Sequence, residues 1–293
     1  MSSKIAVVLP VFNGSKYLKE QLDSILKQES VVVDVYIKDD GSSDNSSEII
    51  DFYKASYQNI IVIDSFKSGS ASQAFFDILK IIPMNDYDYV SLSDQDDIWK
   101  LNKLSAAVAT LDYTNSNCYS SNVTAFWPTG RELVIKKNQP QRKYDYMFEA
   151  AGPGCTYILK KKVCVDLQNF LSLDSSYLQY IRHHDWFIYA FSRSRGYKWI
   201  IDKTSSLKYR QHQLNDLGAN IGIKAIIQRY DLVRNYKYAK QIWIQAKYLG
   251  YEDQLKSILK NPINFLHFRR RRRDRFLLFL LSLLGYLSIK ENM

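Results

Sequence analysis

Ser91-Leu92-Ser93-Asp94-Gln95-Asp96-Asp97-Ile98-Trp99 is the stretch that decides how this chain is read. It follows Tyr87-Asp88-Tyr89-Val90, an alternating apolar run that predicts a strand. Three carboxylates then fall within four residues. Like charges that close repel, and they persist where something cationic neutralises them. Asp94 and Asp96 face the same way on an extended chain, and a turn just past the strand brings Asp97 near. Hard oxygen ligands suit Mg²⁺ or Mn²⁺, which complete their shells with water and phosphate oxygens. A solvated acidic loop is the competing reading of any bare D-x-D. Here the strand before the loop and Ile98-Trp99 after it favour a built, buried site.

Outward from this loop, the first hundred residues alternate between strand and helix patterns. Residues 4–11 form a continuous apolar strand, and residues 15–28 place Leu18, Leu22, Ile25 and Leu26 at helical spacing. Residues 31–38 predict a second strand. Ser43 or Asp44 can cap a helix through Ile49, Ile50, Phe52 and Tyr53. A third strand at 60–64 and a third helix at 70–82 precede the strand at 87–92. This alternation predicts an α/β fold, a mostly parallel sheet with helices on both faces. Ligands bind such sheets beyond the carboxyl ends of the strands. Three polar turns fall there: Pro10-Val11-Phe12-Asn13-Gly14, Asp39-Asp40-Gly41-Ser42-Ser43-Asp44, and Asp94 to Asp97. Their convergence on one rim is a stronger signal than any one of them.

The second half is less regular. A short helix covers 103–111, and strands at 118–127 and 132–135 flank Pro128-Thr129-Gly130. Residues 136–143 are polar loop. Gly152-Pro153-Gly154-Cys155-Thr156 is a small-residue turn before a strand at 157–159, and His183-His184-Asp185-Trp186 opens a helix. Residues 197–201 and 206–209 predict two short strands. From 221 to about 259 the spacing is helical and Tyr-rich, with a break near Gly250. No internal repeat or low-complexity linker interrupts the chain before the arginine run.

The 293 residues can bury a substantial core, and 22 tyrosines exclude a disordered chain. Residues 5–9 are too few for a secretory apolar region and end at Pro10 without a small-residue cleavage site. Cys118, Cys155 and Cys164 are odd in number and lack C-x-x-C spacing, which argues for reduced thiols in the cytoplasm and against a zinc site. Residues 262–290 hold seven cations against Asp274, a local charge of +6 out of the chain's +10. That excess concerns partners and not the fold.

Together these motifs resemble glycosyltransferase family 2 enzymes with a GT-A fold, and within them the rhamnosyltransferase-like branch that builds bacterial surface polysaccharides. The residues that carry the resemblance are Leu9-Pro10-Val11-Phe12-Asn13-Gly14, the turn from Asp39 to Asp44, and Ser93 to Trp99, then Gly154-Cys155-Thr156, His184-Asp185-Trp186 and Tyr209-Arg210-Gln211-His212. They imply a GT-A core over residues 1–220 and a C-terminal helical extension over 221–293.

The resemblance implies a role for each. Pro10, Val11, Phe12 and Asn13 would meet the nucleotide, the Phe12 ring facing the base; without the resemblance Phe12 reads as core. Asp40 would accept a hydrogen bond from the imino N–H of uracil or thymine. Asp39 reads as turn chemistry, and Ser43 and Asp44 as a helix cap. Asp96 would contact Mn²⁺ or Mg²⁺, and Asp94 the ribose or the metal, the cation offsetting the charge of the leaving diphosphate. His212 would be a further metal ligand, against the ordinary structural role of a lone histidine. Arg210 would pair with phosphate oxygens, as a guanidinium suits bidentate contact, or form a surface salt bridge. Asp185 would be the general base of a single inverting displacement, with His183 and His184 as competitors and a helix cap as the alternative. Gly154, Cys155, Thr156, Trp186 and Asp97 would border the donor sugar or the acceptor.

The implied activity is metal-dependent, inverting transfer of rhamnose or another hexose from a dTDP- or UDP-linked donor to a glycan or polyprenyl-linked acceptor. The run at 276–287 falls short of the about 20 apolar residues that span a bilayer. With Arg269 to Arg273 before it, residues 269–289 read as a peripheral anchor on the anionic inner face of the cell membrane, or as a homodimer interface. Nucleic acid is not expected, because the arginines lack interleaved aromatics. Two rivals stand. A nucleotidyltransferase would carry a Gly-rich phosphate loop, which Pro10 to Gly14 does not supply. A catalytically inactive membrane-tethered scaffold is opposed by the intact Asp40, Asp94, Asp96, Asp185 and His212.

Overall fold

The computed structural model describes residues 2–64, 66–173, 177–212 and 236–287. Strands β1 (Ser3–Val11), β2 (Val31–Asp39), β3 (Ile60–Val62) and β4 (Tyr89–Leu92) are parallel, with β1 between β2 and β4 and β3 outside β2. The side chains of Ile5 to Leu9 are wholly inaccessible, as expected of a strand covered on both faces. Helices α1 (Leu18–Leu26), α2 (Ser46–Ser56), α3 (Ala71–Ile81) and α4 (Lys103–Tyr113) supply that cover. Ile5, Val7 and Leu9 share a core cluster with Leu22 of α1, Ile50 of α2 and Leu104 of α4, while Ala6 and Val8 join Phe75 and Leu79 of α3. Each fully buried Leu or Ile contributes about 1.5–3 kcal/mol.

The strand order reverses at β1, since β2 lies on one side and β4 on the other. A crevice opens at such a switch point, beyond the carboxyl ends of the two strands. The Pro10 turn and the acidic loop both leave the sheet there.

The sheet continues through β5 (Ile98–Trp99), β6 (Cys118–Phe126), β7 (Glu132–Ile135), β8 (Ile158–Lys160) and β9 (Trp199–Arg210), in the order β3-β2-β1-β4-β8-β6-β9-β5 with β7 beside β6. The two short strands expected at 197–201 and 206–209 are one strand. Its register against β6 shifts around Asn122, opposite the polar Asp202 to Ser205, and that irregularity split the apolar pattern. Helix α5 (Lys161–Leu173) was not expected: Val163, Leu167 and Leu171 have helical spacing, but the helix follows β8 without a turn residue to mark its start.

Helix α6 (His184–Ser194) begins one residue later than the expected opening at His183. Helices α7 (Lys237–Leu249) and α8 (Glu252–Lys260) break at Gly250, whose φ of 78° is left-handed. The expected helical start at 221 and the boundary at 220 lie outside the described residues. Ile242 and Leu255 share a core with Phe187 of α6, so the C-terminal helices are built onto the α3–α6 side of the sheet.

Helix α9 (Arg272–Leu283) closes the described chain, and among the described residues no helix is long and apolar enough to cross a membrane. The arginine run before it is not uniformly presented outward, as its charge alone suggested. Arg270 is 5% exposed and lies 3.5 Å from Asp145, which is fully buried and also bound by Arg193 at 3.3 Å. Arg269 pairs with Glu149 at 3.5 Å. Two of the five arginines in the run thus tie the tail to the core.

Candidate active site

Three loops meet over the β1–β4 crevice. In the first, Asn13 has a left-handed φ of 49°, which asparagine tolerates better than most residues. Its N–H donates to Ser42 Oγ at 2.8 Å, and its Oδ1 accepts from the Ser43 N–H at 2.8 Å. Asp44 accepts from the N–H groups of Ser15 and Ser46, both at 3.0 Å. It therefore stitches the first turn to the second, while Asn45 takes the N-cap of α2 with no side-chain bond. Asp39 accepts from the Ser42 N–H at 2.9 Å, the turn role expected of it.

Gln95 went unmarked in the sequence and is central here. The Phe12 N–H donates to its Oε1 at 2.9 Å, and its Nε2 donates to the Phe12 carbonyl at 3.0 Å. A Cβ on Gly14 would meet that Oε1 at 2.5 Å, so any larger residue would have to displace the Gln95 amide from this clamp. The middle residue of D-x-D thereby clamps the acidic loop to the turn after β1. The Phe12 ring is 49% exposed at the rim and not in the core, with Lys67 Nζ 5.2 Å from its centre. Asp40 is nearly buried: it accepts from the N–H groups of Ser68 and Gly69 and lies 3.5 Å from the buried Lys38 ammonium.

The end of β9 crosses the acidic loop. His212 Nε2 lies 2.6 Å from Asp96 Oδ2. Arg210 donates through Nε to the Asp96 carbonyl at 2.8 Å and through its N–H to Asp97 Oδ1 at 3.1 Å. Its guanidinium also pairs with Glu20 and lies over the rings of Tyr17 and Phe126, while Tyr17 stacks on His212 at 5.1 Å. Arg210, expected at phosphate, thus holds the acidic loop to α1; five donors on one fork make that possible. Tyr17 and Glu20 carried no sequence signal, because their role depends on a strand end about 190 residues away.

Oxygens of Asp94 and Asp97 and the Cys155 Sγ lie within 4.8 Å of one another. Burial, then the charges of Asp96 and Asp94, pushes the Asp97 carboxyl well up, and its Oδ2 has no hydrogen-bond partner among the described residues. The Cys155 thiol is raised by burial first and by Asp97 and Asp94 next. A protonated, soft sulfur is a poor ligand for a hard cation. The partly accessible Asp96–His212 pair, with Asp94 beside it in the loop, fits Mn²⁺ or Mg²⁺ better. Beneath the loop, Lys103 lies 3.2 Å from Ser91 Oγ and 3.4 Å from the centre of the Trp99 ring, and burial holds its ammonium down at about 7.

On the far side of β8, a Cβ on Gly154 would meet His184 Nε2 at 2.5 Å and Asp185 Cβ at 3.2 Å. Glycine lets the turn and the head of α6 touch. The His184 ring stacks on Phe75 at 3.8 Å, and the His184 backbone N–H donates to Ser72 Oγ at 3.0 Å. Asp185, partly exposed in the first turn of α6, accepts from the Trp186 N–H at 2.7 Å. Trp186 donates through Nε1 to the Tyr146 carbonyl at 2.9 Å. Gly154, Cys155, Thr156, Trp186 and Asp97 are all buried. Their burial makes them wall residues of the crevice, with Asp97 held by the Arg210 N–H and lying beside Asp94 and Cys155.

Residues 6–157 match the family described as Glycosyl transferase family 2. The chain is 40% identical over 287 residues to the dTDP-rhamnosyl transferase RfbG of Shigella flexneri, spanning 94% of this chain and 99% of that protein. The chain belongs to glycosyl transferase family 2. This family 2 glycosyltransferase is also 30% identical over 167 residues to the glycosyltransferase GlyG of Streptococcus pneumoniae, 52% of this chain and 54% of that one. Its fold is similar to that of S. aureus TarS 1–349 in complex with UDP (TM-score 0.58, 15% identity, 97% of this chain and 81% of that one). It is likewise similar to the mannosyltransferase PcManGT from Pyrobaculum calidifontis in complex with GDP-Man and Mn²⁺ (TM-score 0.54, 13% identity, 99% and 89%). The GT-A fold expected from the motifs is the one observed.

Proposed function

We propose that this glycosyltransferase moves rhamnose from a dTDP-linked donor to a glycan acceptor carried on a lipid, in surface polysaccharide synthesis. The near full-length identity to a dTDP-rhamnosyl transferase supports the donor. The observation that carries the site is the 2.6 Å approach of His212 to Asp96, which joins two distant motifs at the β1–β4 crevice. Phe12 offers its exposed ring to the base. Asp40 has lone-pair capacity beyond the bonds it makes and reads the imino N–H of thymine. Asp96 and His212, with Asp94, would hold Mn²⁺ or Mg²⁺, which supplies charge compensation for the departing diphosphate.

Asp185 takes the proton of the acceptor hydroxyl as its oxygen bonds to the anomeric carbon, opposite the breaking bond to diphosphate, so configuration inverts. Residues 1–220 form the transferase core and 221–293 the extension. On α9 and its C-cap, Phe276, Leu277, Leu280, Leu283 and Leu284 form one exposed apolar stripe. It rests on the inner leaflet of the cell membrane, beside arginines that favour anionic lipid. The test is release of nucleoside diphosphate from dTDP- and UDP-sugars with Mn²⁺ or with EDTA. Release from dTDP-rhamnose that EDTA stops is expected; no release from any donor would refute the reading.

A further inference from the structure

Arg142, Arg270, Arg271, Arg272, Arg273 and Arg275, with Gln139 and Pro140, wall an open cleft of about 630 Å³. No carboxylate lines it. We infer that this cleft seats the diphosphate of a prenyl-linked acceptor, an inference that rests on the lipid-carried acceptor proposed above.

Four observations converge on it. Guanidinium groups match phosphate oxygens bidentately, and six arginines line one space, of which Arg270 turns its guanidinium inward to Asp145 and the Ala150 carbonyl. Arg270 is 95% buried, and its Nε, like that of Arg142, is a buried donor with no hydrogen-bond partner among the described residues. The cleft meets the amino end of the 12-residue helix α9, which has no side-chain cap bond, carries Asp274 in its first turn and adds a positive dipole end. The cations also crowd one another. Burial, then Arg271 and Arg270, lowers the neighbouring Lys137 ammonium to about 8, and Arg275 is lowered by burial, Arg142 and Arg272. An anion relieves that repulsion.

Position selects the kind of anion. Arg270 donates to the Ala150 carbonyl at 2.7 Å, a Cβ on Gly152 would lie 3.4 Å from Lys137, and Gly154 abuts Asp185. One short segment thus runs from the cleft to the proposed base, and Ala150 to Gly154 spans at most about 14 Å. A small glycan on a diphosphate bridges that distance. The exposed Phe276, Leu277 and Leu280 follow the arginines directly, where an isoprenoid chain would leave the diphosphate. A nucleotide would use the acidic rim; this cleft has neither carboxylate nor aromatic face among its walls.

The test is calorimetric titration of the full chain with farnesyl diphosphate, inorganic pyrophosphate and farnesol, under saturating dTDP and Mn²⁺ so that the donor site is filled. Wild type should bind both diphosphates and not farnesol. Arg142→Gln/Arg272→Gln/Arg273→Gln should weaken farnesyl diphosphate at least tenfold, with melting temperature and dTDP affinity unchanged, and lysines at the same positions should restore part of it. Equal affinity in wild type and variant, or no binding by wild type, would overturn the inference. So would a variant that loses binding to phosphatidylglycerol vesicles but keeps farnesyl diphosphate, since the cleft would then serve lipid headgroups. Failure of dTDP to bind, with farnesyl diphosphate retained, would refute the donor reading and support the cleft.

Discussion

At the β1–β4 crevice this enzyme gathers Asp94, Asp96 and Asp97; at the start of α9 it gathers Arg270 to Arg273 and Arg275. Both regions are proposed seats for a diphosphate, yet their charges are opposite. A carboxylate rim attracts a diphosphate only through an intervening cation. A guanidinium cleft attracts one directly. On the proposed reading the first seat would answer to metal, and the second to salt, because exposed charges are screened within about 10 Å at 0.1 M.

The largest effect should come from the acidic side. Asp96→Ala should lower transfer at least about 10³-fold, since the charge compensation it supports is worth several kcal/mol. Farnesyl diphosphate binding should not change, and an equal loss at both sites would erase the contrast. Asp185→Asn removes the base and should cost about 10²–10³-fold in transfer. Nucleotide affinity, measured by calorimetry, should stay as in wild type; near-normal transfer would disqualify Asp185.

On the basic side, Arg270 is structural as well as cleft-lining, through its ion pair to the buried Asp145. Arg270→Ala should destabilise the fold by about 3 kcal/mol in urea denaturation, as removal of one buried partner does. A variant as stable as wild type would free the tail from the core. The smallest effect concerns Lys103 beneath the acidic loop. Its folded value of about 7 lies below its ordinary 10.5, so between those values the unfolded chain binds more protons and stability rises with pH. From pH 7 to 9 wild type should gain about 2 kcal/mol more than Lys103→Met. Parallel pH profiles would place the ammonium in a wetter environment.

The contrast was unevenly legible in the sequence. The acidic loop and the parallel β1–β4 half could be read because strand periodicity and turn residues are local signals. Phe12 at the rim, the Gly154 turn and the head of α6 followed from motif order. Gln95, Tyr17 and Glu20 could not be read, since each matters only through a partner that the fold brings from elsewhere. β9 was split because its polar middle faces an irregular register. The arginine run announced its charge and nothing more: that Arg270 turns inward to Asp145, while its neighbours wall a cleft, depends on a buried acid more than a hundred residues earlier.

The most direct measurement of the central claim is the affinity of the full chain for dTDP with Mn²⁺ and with EDTA, repeated on His212→Ala. The account predicts tight binding that EDTA weakens at least tenfold and a variant in which that gain is largely gone. Equal dTDP affinity with and without the cation, unchanged in His212→Ala, would contradict it.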